Sequence, residues 1–428
     1  MSTQHEKSNF KTFFNQSSVY HFLLKWTLIG LIVGGCIGCA SAGFLYTLNW
    51  VTDFREANLW LVAFLPICGF LIGLIYHHYG KDIEAGNNLL IDTIHEPKAK
   101  IPFKMAPLVY LGTIATHFFG GSAGREGTAL QMAGAITDQF SKPFSLSEED
   151  RKTLIIAAVA GGFGSVFGTP LAGTFFALEF FRIGKINTKS IYPAFITAIF
   201  ADVITKLWRI PHTHYVISLV PEMTFLNLLL TIVAGICFGF CAMLFSQSLK
   251  YVGKFFKSKI NYSPLRPLIG GVVVASIVFM LGTSKYIGLG IPTIIDAFSY
   301  QSDFYDFAFK LLFTVITLSA GFKGGEVTPL FFIGATLGSA LSFFIPLPIG
   351  LLAGMGFVAV FAGATNTPIA CTIMALELFG IECGIYAAIA CIVSYLISGH
   401  TSIYVRQMVG EPKHSSLNED KGKRLNEI

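Results

Sequence analysis

Charge is what this chain has least of: Asp, Glu, Lys and Arg together make up 13% of its 428 residues, against 53% apolar ones. With a mean hydropathy of +0.63, that balance excludes an ordinary soluble domain and reads as a polytopic helical membrane protein. The formal net charge of +5 sits largely in tails and loops, at Lys142, Arg151, Lys152, Lys254, Lys257 and Lys259. It suggests orientation and contact with the lipid surface, and argues against a nucleic-acid partner. Metal-ligand patterns are missing as well. The histidine groupings, His77-His78 and His212-x-His214, fall at segment ends or in a proline-bounded loop, without the helical spacing of a metal site. Of eight cysteines, Cys36, Cys39, Cys68, Cys237, Cys241, Cys371 and Cys391 lie in apolar runs, and the single C-x-x-C, Cys36 to Cys39, has no second pair. These read as small packing residues. The first apolar segment, from about Phe22 to Trp50, is too long for a signal-peptide core. No zinc, serine-lysine or serine-histidine constellation supports an intramembrane enzyme, and no cofactor is expected.

What the chain does have is glycine, 43 residues of it, which suits close helix packing and broken helices in lipid. Helical stretches such as Asn87 to Ile94 and Thr169 to Phe181 are too short to cross a hydrocarbon core of roughly 30 Å, so they are expected to meet inside the protein. An internal repeat organises them. Thr169-Pro170-Leu171-Ala172-Gly173-Thr174-Phe175-Phe176-Ala177-Leu178-Glu179-Phe180-Phe181 aligns with Thr367-Pro368-Ile369-Ala370-Cys371-Thr372-Ile373-Met374-Ala375-Leu376-Glu377-Leu378-Phe379, identical at eight of thirteen positions. Upstream, Gly124, Glu126, Thr128, Leu130, Gly134 and Ala135 match Gly324, Glu326, Thr328, Leu330, Gly334 and Ala335 at nearly the same offset, and Gly86 to Asp92 resembles Gly290 to Asp296. Order and spacing both hold, as a duplicated unit requires. The expected division is a cytoplasmic N-terminal segment (1–21), a first transmembrane repeat (22–208), a linker (209–223), a second repeat (224–411) and a short charged tail (412–428), the tail being expected to be disordered. Spacing alone leaves parallel and inverted halves both open.

A glutamate stands where a membrane-embedded chain should least accept one. Glu126, in Gly124-Arg125-Glu126-Gly127-Thr128, is bracketed by apolar sequence on both sides, and a carboxylate at that depth is costly and functional by default. The glycines read as a turn opening a helix, which aims N–H groups and the positive helix end at one point, an anion site. The second copy places Glu326 in Gly324-Gly325-Glu326-Val327-Thr328-Pro329. If the two approach one centre they titrate as a coupled pair. The structural alternatives are a helix-terminal Glu126 paired with Arg125 and a capping Glu326 near Lys323.

Here the sequence resembles a known family. G-S-A-G-R-E-G-T is similar to the G-K/R-E-G-P signature of the CLC chloride channel and transporter family, and G-G-E-V-T-P occupies the place of its second anion motif. The similarity takes in both T-P-[LI]-A repeats and Thr401-Ser402-Ile403-Tyr404-Val405-Arg406. It implies an all-α polytopic membrane fold of the CLC type, a double inverted repeat with broken and half-spanning helices. It also implies one ion pathway per subunit of a homodimer, helices around Thr169 to Phe200 and Thr367 to Ile397 as interface candidates, and no regulatory domain after the last helix. The departures from the family pattern are specific. Its usual G-S-G-I-P reads Gly86-Asn87-Asn88-Leu89-Leu90, the proline of the glutamate motif is Thr128, and Phe180 stands where chloride/proton exchangers carry an internal glutamate. Together with the glutamate of G-G-E-V-T-P these resemble the fluoride/proton antiporter subgroup. The resemblance then implies gating and proton transfer at Glu126 and Glu326, and anion binding by Asn87, Gly124, Arg125, Gly127, Val327, Thr328 and Tyr404, through amide, hydroxyl and backbone donors. Asn87 as a cap of its helix, Thr328 as a cap of the next and Tyr404 as an interfacial anchor are the competing roles. The expected partners are fluoride or chloride, the proton and membrane lipid. The expected function is fluoride/proton exchange exporting fluoride from a prokaryotic plasma membrane, with chloride/proton exchange or passive chloride conduction as the alternatives.

Overall fold

An apolar stretch too short to cross a bilayer has to end against protein, because its terminal N–H and C=O groups find no partner in lipid. In the computed structural model, which describes residues 2–97 and 100–428, with side chains from Ser18 onward, this chain meets that demand by pairing short helices end to end. The expected N-terminal segment, 1–21, therefore lies largely outside the residues whose side chains are described. In chain order the helices are α1 (Ser2–Ala57), α2 (Leu65–Tyr79), α3 (Asn87–His95), α4 (Met105–Phe118), α5 (Glu126–Thr137), α6 (Glu148–Phe167), α7 (Pro170–Glu179) and α8 (Ile191–Leu207). There follow α9 (Phe225–Lys259), α10 (Leu265–Leu281), α11 (Ile291–Asp296), α12 (Asp306–Ala320), α13 (Val327–Leu341), α14 (Ile349–Thr365), α15 (Pro368–Phe379) and α16 (Gly384–Ile397). The second eight repeat the first eight in order: a long opening helix, a shorter second, a stub at α3 and α11, and glycine-preceded starts at α5 and α13. Residues 18–57, 59–79, 188–207 and 225–259 are long and apolar enough to span. The nine residues of α3 and ten of α7, at 1.5 Å rise per residue, reach only about half of a hydrocarbon core.

The halves are inverted, and α7 and α15 show how they are locked. Each begins Thr-Pro, with proline pre-organised for the first helical turn. Neither threonine side chain caps its helix. The acceptor comes from the other repeat: Glu377, near the end of α15, accepts from Leu171 N (3.0 Å) and Ala172 N (2.7 Å) at the start of α7. Glu179, at the end of α7, accepts from Ile369 N (3.3 Å) and Ala370 N (2.8 Å) at the start of α15. Antiparallel helices exchanging carboxylates for free N–H groups explain why glutamate closes both copies of the repeat.

The tail differs from its expected disorder. Val409 N donates to Lys423 O, Leu425 N to Gln407 O and Asn426 N to Val405 O, beside a two-residue parallel pairing of Arg182–Ile183 with Met408–Val409. Arg424 reaches Asp92 (3.1 Å) and Glu96 (3.2 Å) around α3, and Lys413 Nζ donates to the carbonyls of Tyr395 and Gly399 at the end of α16. A charged tail is ordered here because its cations find the unpaired carbonyls and carboxylates at helix C-termini.

Replacing Glu179 by Ala is expected to leave two N–H groups of α15 without their acceptor and to cost about 1–3 kcal/mol, read as a lower thermal unfolding midpoint in detergent. Glu377→Ala is expected to cost less, its carboxylate being only half-buried. Unchanged midpoints in both variants would show that the exchanged caps contribute no stability.

Candidate functional site

The two glycine motifs converge at the centre of the protein. Gly124 N donates to Gly325 O (2.5 Å) and Gly325 N to Gly124 O (2.7 Å), an isolated antiparallel bridge between the halves. A side chain is excluded there: a Cβ on Gly325 would lie 2.6 Å from Gly127 N and 3.1 Å from Gly127 Cα, both backbone atoms. This close approach brings the N-termini of α5 and α13 together and directs their free donors at one place.

Glu126, the first residue of α5, occupies it. The carboxylate is fully buried and reaches across to the other half, accepting from Thr328 N (3.0 Å) and from Thr328 Oγ1 (2.6 Å to Oε1, 2.7 Å to Oε2). Arg125 N adds a bond of 3.2 Å. The Arg125 Nε lies 3.4 Å from Oε1, close enough to pair in charge but without hydrogen-bond alignment. So Glu126 is more than a helix-terminal carboxylate paired with its neighbour: it accepts from the donors at the start of α13. Thr328 does not cap its own helix, and its hydroxyl serves Glu126 instead.

Asn87, Glu326 and Tyr404 lie together on a cavity of about 610 Å³. Gly127 links them to the bridge, since a Cβ on it would lie 3.0 Å from Asn87 Nδ2 and 3.6 Å from Glu326 Oε2. Three polar atoms on this wall have no protein partner: Asn87 Oδ1, Glu326 Oε2 and the Tyr404 hydroxyl. Asn87 makes no side-chain cap to α3 and Glu326 none to α13. Tyr404, 1% exposed, is buried in protein and is no interfacial anchor. Val327 is buried as the first residue of α13. Arg125 is not among the residues lining the cavity; it stays beside Glu126.

Other buried residues are held in specific contacts. Phe180 is packed in an aromatic wall, 5.4 Å from Phe176 and 5.9 Å from the Tyr404 ring, edge to face. Phe163, Phe176 and Phe361 stack behind it. Asn88, neighbour of the expected Asn87, accepts from Arg406 N (3.1 Å) and ties the Tyr404 segment to α3. Lys310, an isolated lysine in the apolar run of α12, is fully buried and donates to Gly288 O (2.7 Å) and Tyr286 O (3.2 Å). Arg55 lies alongside, its Nη1 donating to His117 O (3.3 Å). A lone cation in an apolar helix was the available signal for Lys310.

A profile described as voltage gated chloride channel matches residues 68–399. A chloride/fluoride channel protein of Pseudomonas syringae pv. tomato is 49% identical over 405 residues, 93% of this chain and 90% of that protein. The crystal structure of a CLC-type fluoride/proton antiporter superposes with a TM-score of 0.88 at 35% identity, covering 91% of this chain and 98% of that one. The H(+)/Cl(-) exchange transporter ClcA of Vibrio cholerae serotype O1 is 27% identical over 391 residues, 82% of this chain and 81% of that protein.

Because backbone cannot yield to a methyl group at the bridge, Gly325→Ala is expected to cost about 1–3 kcal/mol in thermal unfolding. Gly35→Ala, where a Cβ meets nothing within 4 Å, is expected to cost nothing. Equal midpoints for the two variants would show that the bridge is not under this constraint.

Proposed function

The chain belongs to the voltage gated chloride channel family, and from that premise we propose that it is a proton-coupled anion antiporter that exports fluoride in exchange for protons. One observation carries the reading: a buried carboxylate from one half, Glu126, is held by the N-terminal donors of a helix in the other. Donors arranged for a carboxylate also suit a small anion, so the two compete for one place. Protonated, Glu126 loses the charge that holds it at the start of α13 and yields the place. Deprotonated, it returns and displaces the anion. Each exchange therefore moves a proton one way and an anion the other.

Glu326 is the second proton carrier in this reading. It lines the cavity and its buried Oε2 has no hydrogen-bond partner, whereas Phe180, where chloride/proton exchangers of the family carry an acid, offers no titratable group. Fluoride is favoured because its dehydration costs more than that of chloride, which requires a site rich in hydrogen-bond donors. Asn87, Thr328, Tyr404 and the N–H groups about Val327 and Gly127 are such donors. The 49%-identical chloride/fluoride channel protein and the 35%-identical fluoride/proton antiporter support the anion and the coupling. Chloride/proton exchange is the second reading, favoured by the Vibrio relative. Transport is preferred over intramembrane catalysis because the carboxylates open matched helices and one already occupies an anion's place.

The protein is an integral, multi-pass membrane protein. Lys81, Lys257 and Arg266 lie in or beside loops and line the cavity, and by the positive-inside rule we orient it toward the cytoplasm. We place it as a homodimer in a bacterial plasma membrane, with the apolar faces of α7, α8, α15 and α16, among them Leu171, Ile191, Ile369 and Ile385, against the partner or lipid.

Purified protein in fluoride-loaded liposomes, followed with a fluoride electrode and a pH electrode, is expected to release fluoride while taking up protons, with chloride a weak competitor. Fluoride efflux no faster than from empty vesicles overturns the reading. Glu126→Gln, which cannot titrate, is expected to abolish proton movement. Proton-coupled transport surviving that substitution would remove Glu126 from its role.

A further inference from the structure

Asn88, Asp92 and Glu96 stand four residues apart along α3 and its C-terminal cap, a spacing that sets them in one row on the helix surface. Leu90, Ile91 and Ile94 of the same helix are buried in the core. Each member of the row is held by chain that follows Tyr404. Asn88 Oδ1 accepts from Arg406 N (3.1 Å), and Asp92 Oδ2 lies 3.5 Å from Arg406 Nε. Arg424 spans the next step, its Nη1 donating to Asp92 Oδ1 (3.1 Å) and its Nη2 to Glu96 Oε1 (3.2 Å). Leu425 N donates to Gln407 O and Asn426 N to Val405 O, so the two arginines meet the row from one hydrogen-bonded unit.

The row lies beside the site. Asn87 precedes Asn88 on α3, Tyr404 stands two residues before Arg406, and both line the cavity with a buried polar atom that has no protein partner. The Tyr404 segment is fixed separately to the end of α14, by Ile403 N to Ala364 O (3.0 Å) and Gln407 Nε2 to Thr365 O (2.7 Å). Its spacing from α3 is what the row adds. The ion pairs are partly open to water, and such pairs contribute little to stability, so their effect belongs to position. Position matters most to the smallest ion, whose lost water has to be replaced by donors held close.

We propose that Arg424, acting through Asp92 and Glu96, is a positioning residue that sets the spacing of Asn87 from Tyr404 and with it the preference for fluoride over chloride. Arg424, Arg406 and Asp92 are not among the residues lining the cavity, so none of them meets the anion. The inference rests on the antiport reading for the role of Asn87 and Tyr404, and adds to it a residue of the C-terminal tail. A loosened row lets α3 draw away from the Tyr404 segment, which the larger chloride tolerates and fluoride does not.

The test is titration calorimetry with fluoride and with chloride on the detergent-solubilised full chain, which needs no proton coupling, beside proteoliposome exchange by the same protein. Arg424→Met is expected to weaken fluoride binding about fivefold and chloride binding by less than about twofold. Arg424→Lys, which keeps a cation between the two carboxylates, is expected to stay within about twofold of the wild type for both anions. Lys421→Met, exposed in the same tail and paired with Glu411 at the surface, is expected to change nothing. An unchanged fluoride isotherm in Arg424→Met overturns the proposal. So does an equal loss for both anions, or an equal effect of Lys421→Met, either of which marks a general loosening of the tail. Fluoride preference lost in Arg424→Met, while the wild type binds fluoride without exchanging it for protons, retains the positioning role and overturns the antiport reading alone. A wild type that binds neither anion overturns both. If Arg424→Met does not fold, Asp92→Asn decides: fluoride binding equal to wild type overturns the proposal.

Discussion

Two hydrogen bonds between glycine backbones, Gly124 to Gly325 and back, are the constraint on which the rest of the molecule depends. They hold two helix N-termini from opposite halves closer than any side chain would allow, and so concentrate unpaired N–H donors in a place that lipid and water do not reach. Such a place demands negative charge. The protein supplies it with Glu126, which belongs to one helix and bonds to the next residue but one of the other motif, Thr328. The half-length helices, the glycine-rich turns and the inverted halves are all consequences of bringing those two ends face to face.

The same physics recurs at α7 and α15, where Glu377 and Glu179 satisfy each other's helix starts. There the carboxylates are fixed elements of the interface, each accepting from two N–H groups in a matched, reciprocal arrangement. At the bridge the arrangement is not reciprocal. Glu126 engages the second half, while Glu326, which lines the cavity, leaves a buried oxygen without a hydrogen-bond partner. Duplication thus produces two pairs of glutamates, one symmetric and structural and one asymmetric and available for chemistry.

The fold class, the repeat and the meeting of the two glycine-flanked glutamate motifs were legible in the chain because each rests on a local and costly feature: charge at lipid depth, glycine where a turn must be tight, apolar runs too short to cross. Asn87, Glu326 and Tyr404 do share a wall, and Glu126 and Thr328 do meet. The tail from 412 to 428 was not legible, since its order depends on Arg424 finding Asp92 and Lys413 finding the end of α16, contacts between residues hundreds of positions apart or hidden in helix ends. Lys310 stood out in the chain as a lone cation in an apolar helix, but its partners are backbone carbonyls that carry no mark in sequence.

The sequence by itself determined that this is a duplicated, membrane-embedded helical protein with an acid in each copy of a glycine-flanked helix start, because hydrophobic run length, periodic identity and the cost of buried charge are properties of the chain read in order. Only the tertiary structure decided which donors each acid receives, that the Thr328 hydroxyl serves Glu126, that the exchanged glutamates lock the halves, and that Lys323 lies over the Tyr76 ring beside the cavity. Those outcomes turn on angstrom-scale approach between segments about two hundred residues apart, and a hydrogen bond is decided by that approach and not by the identity of either partner.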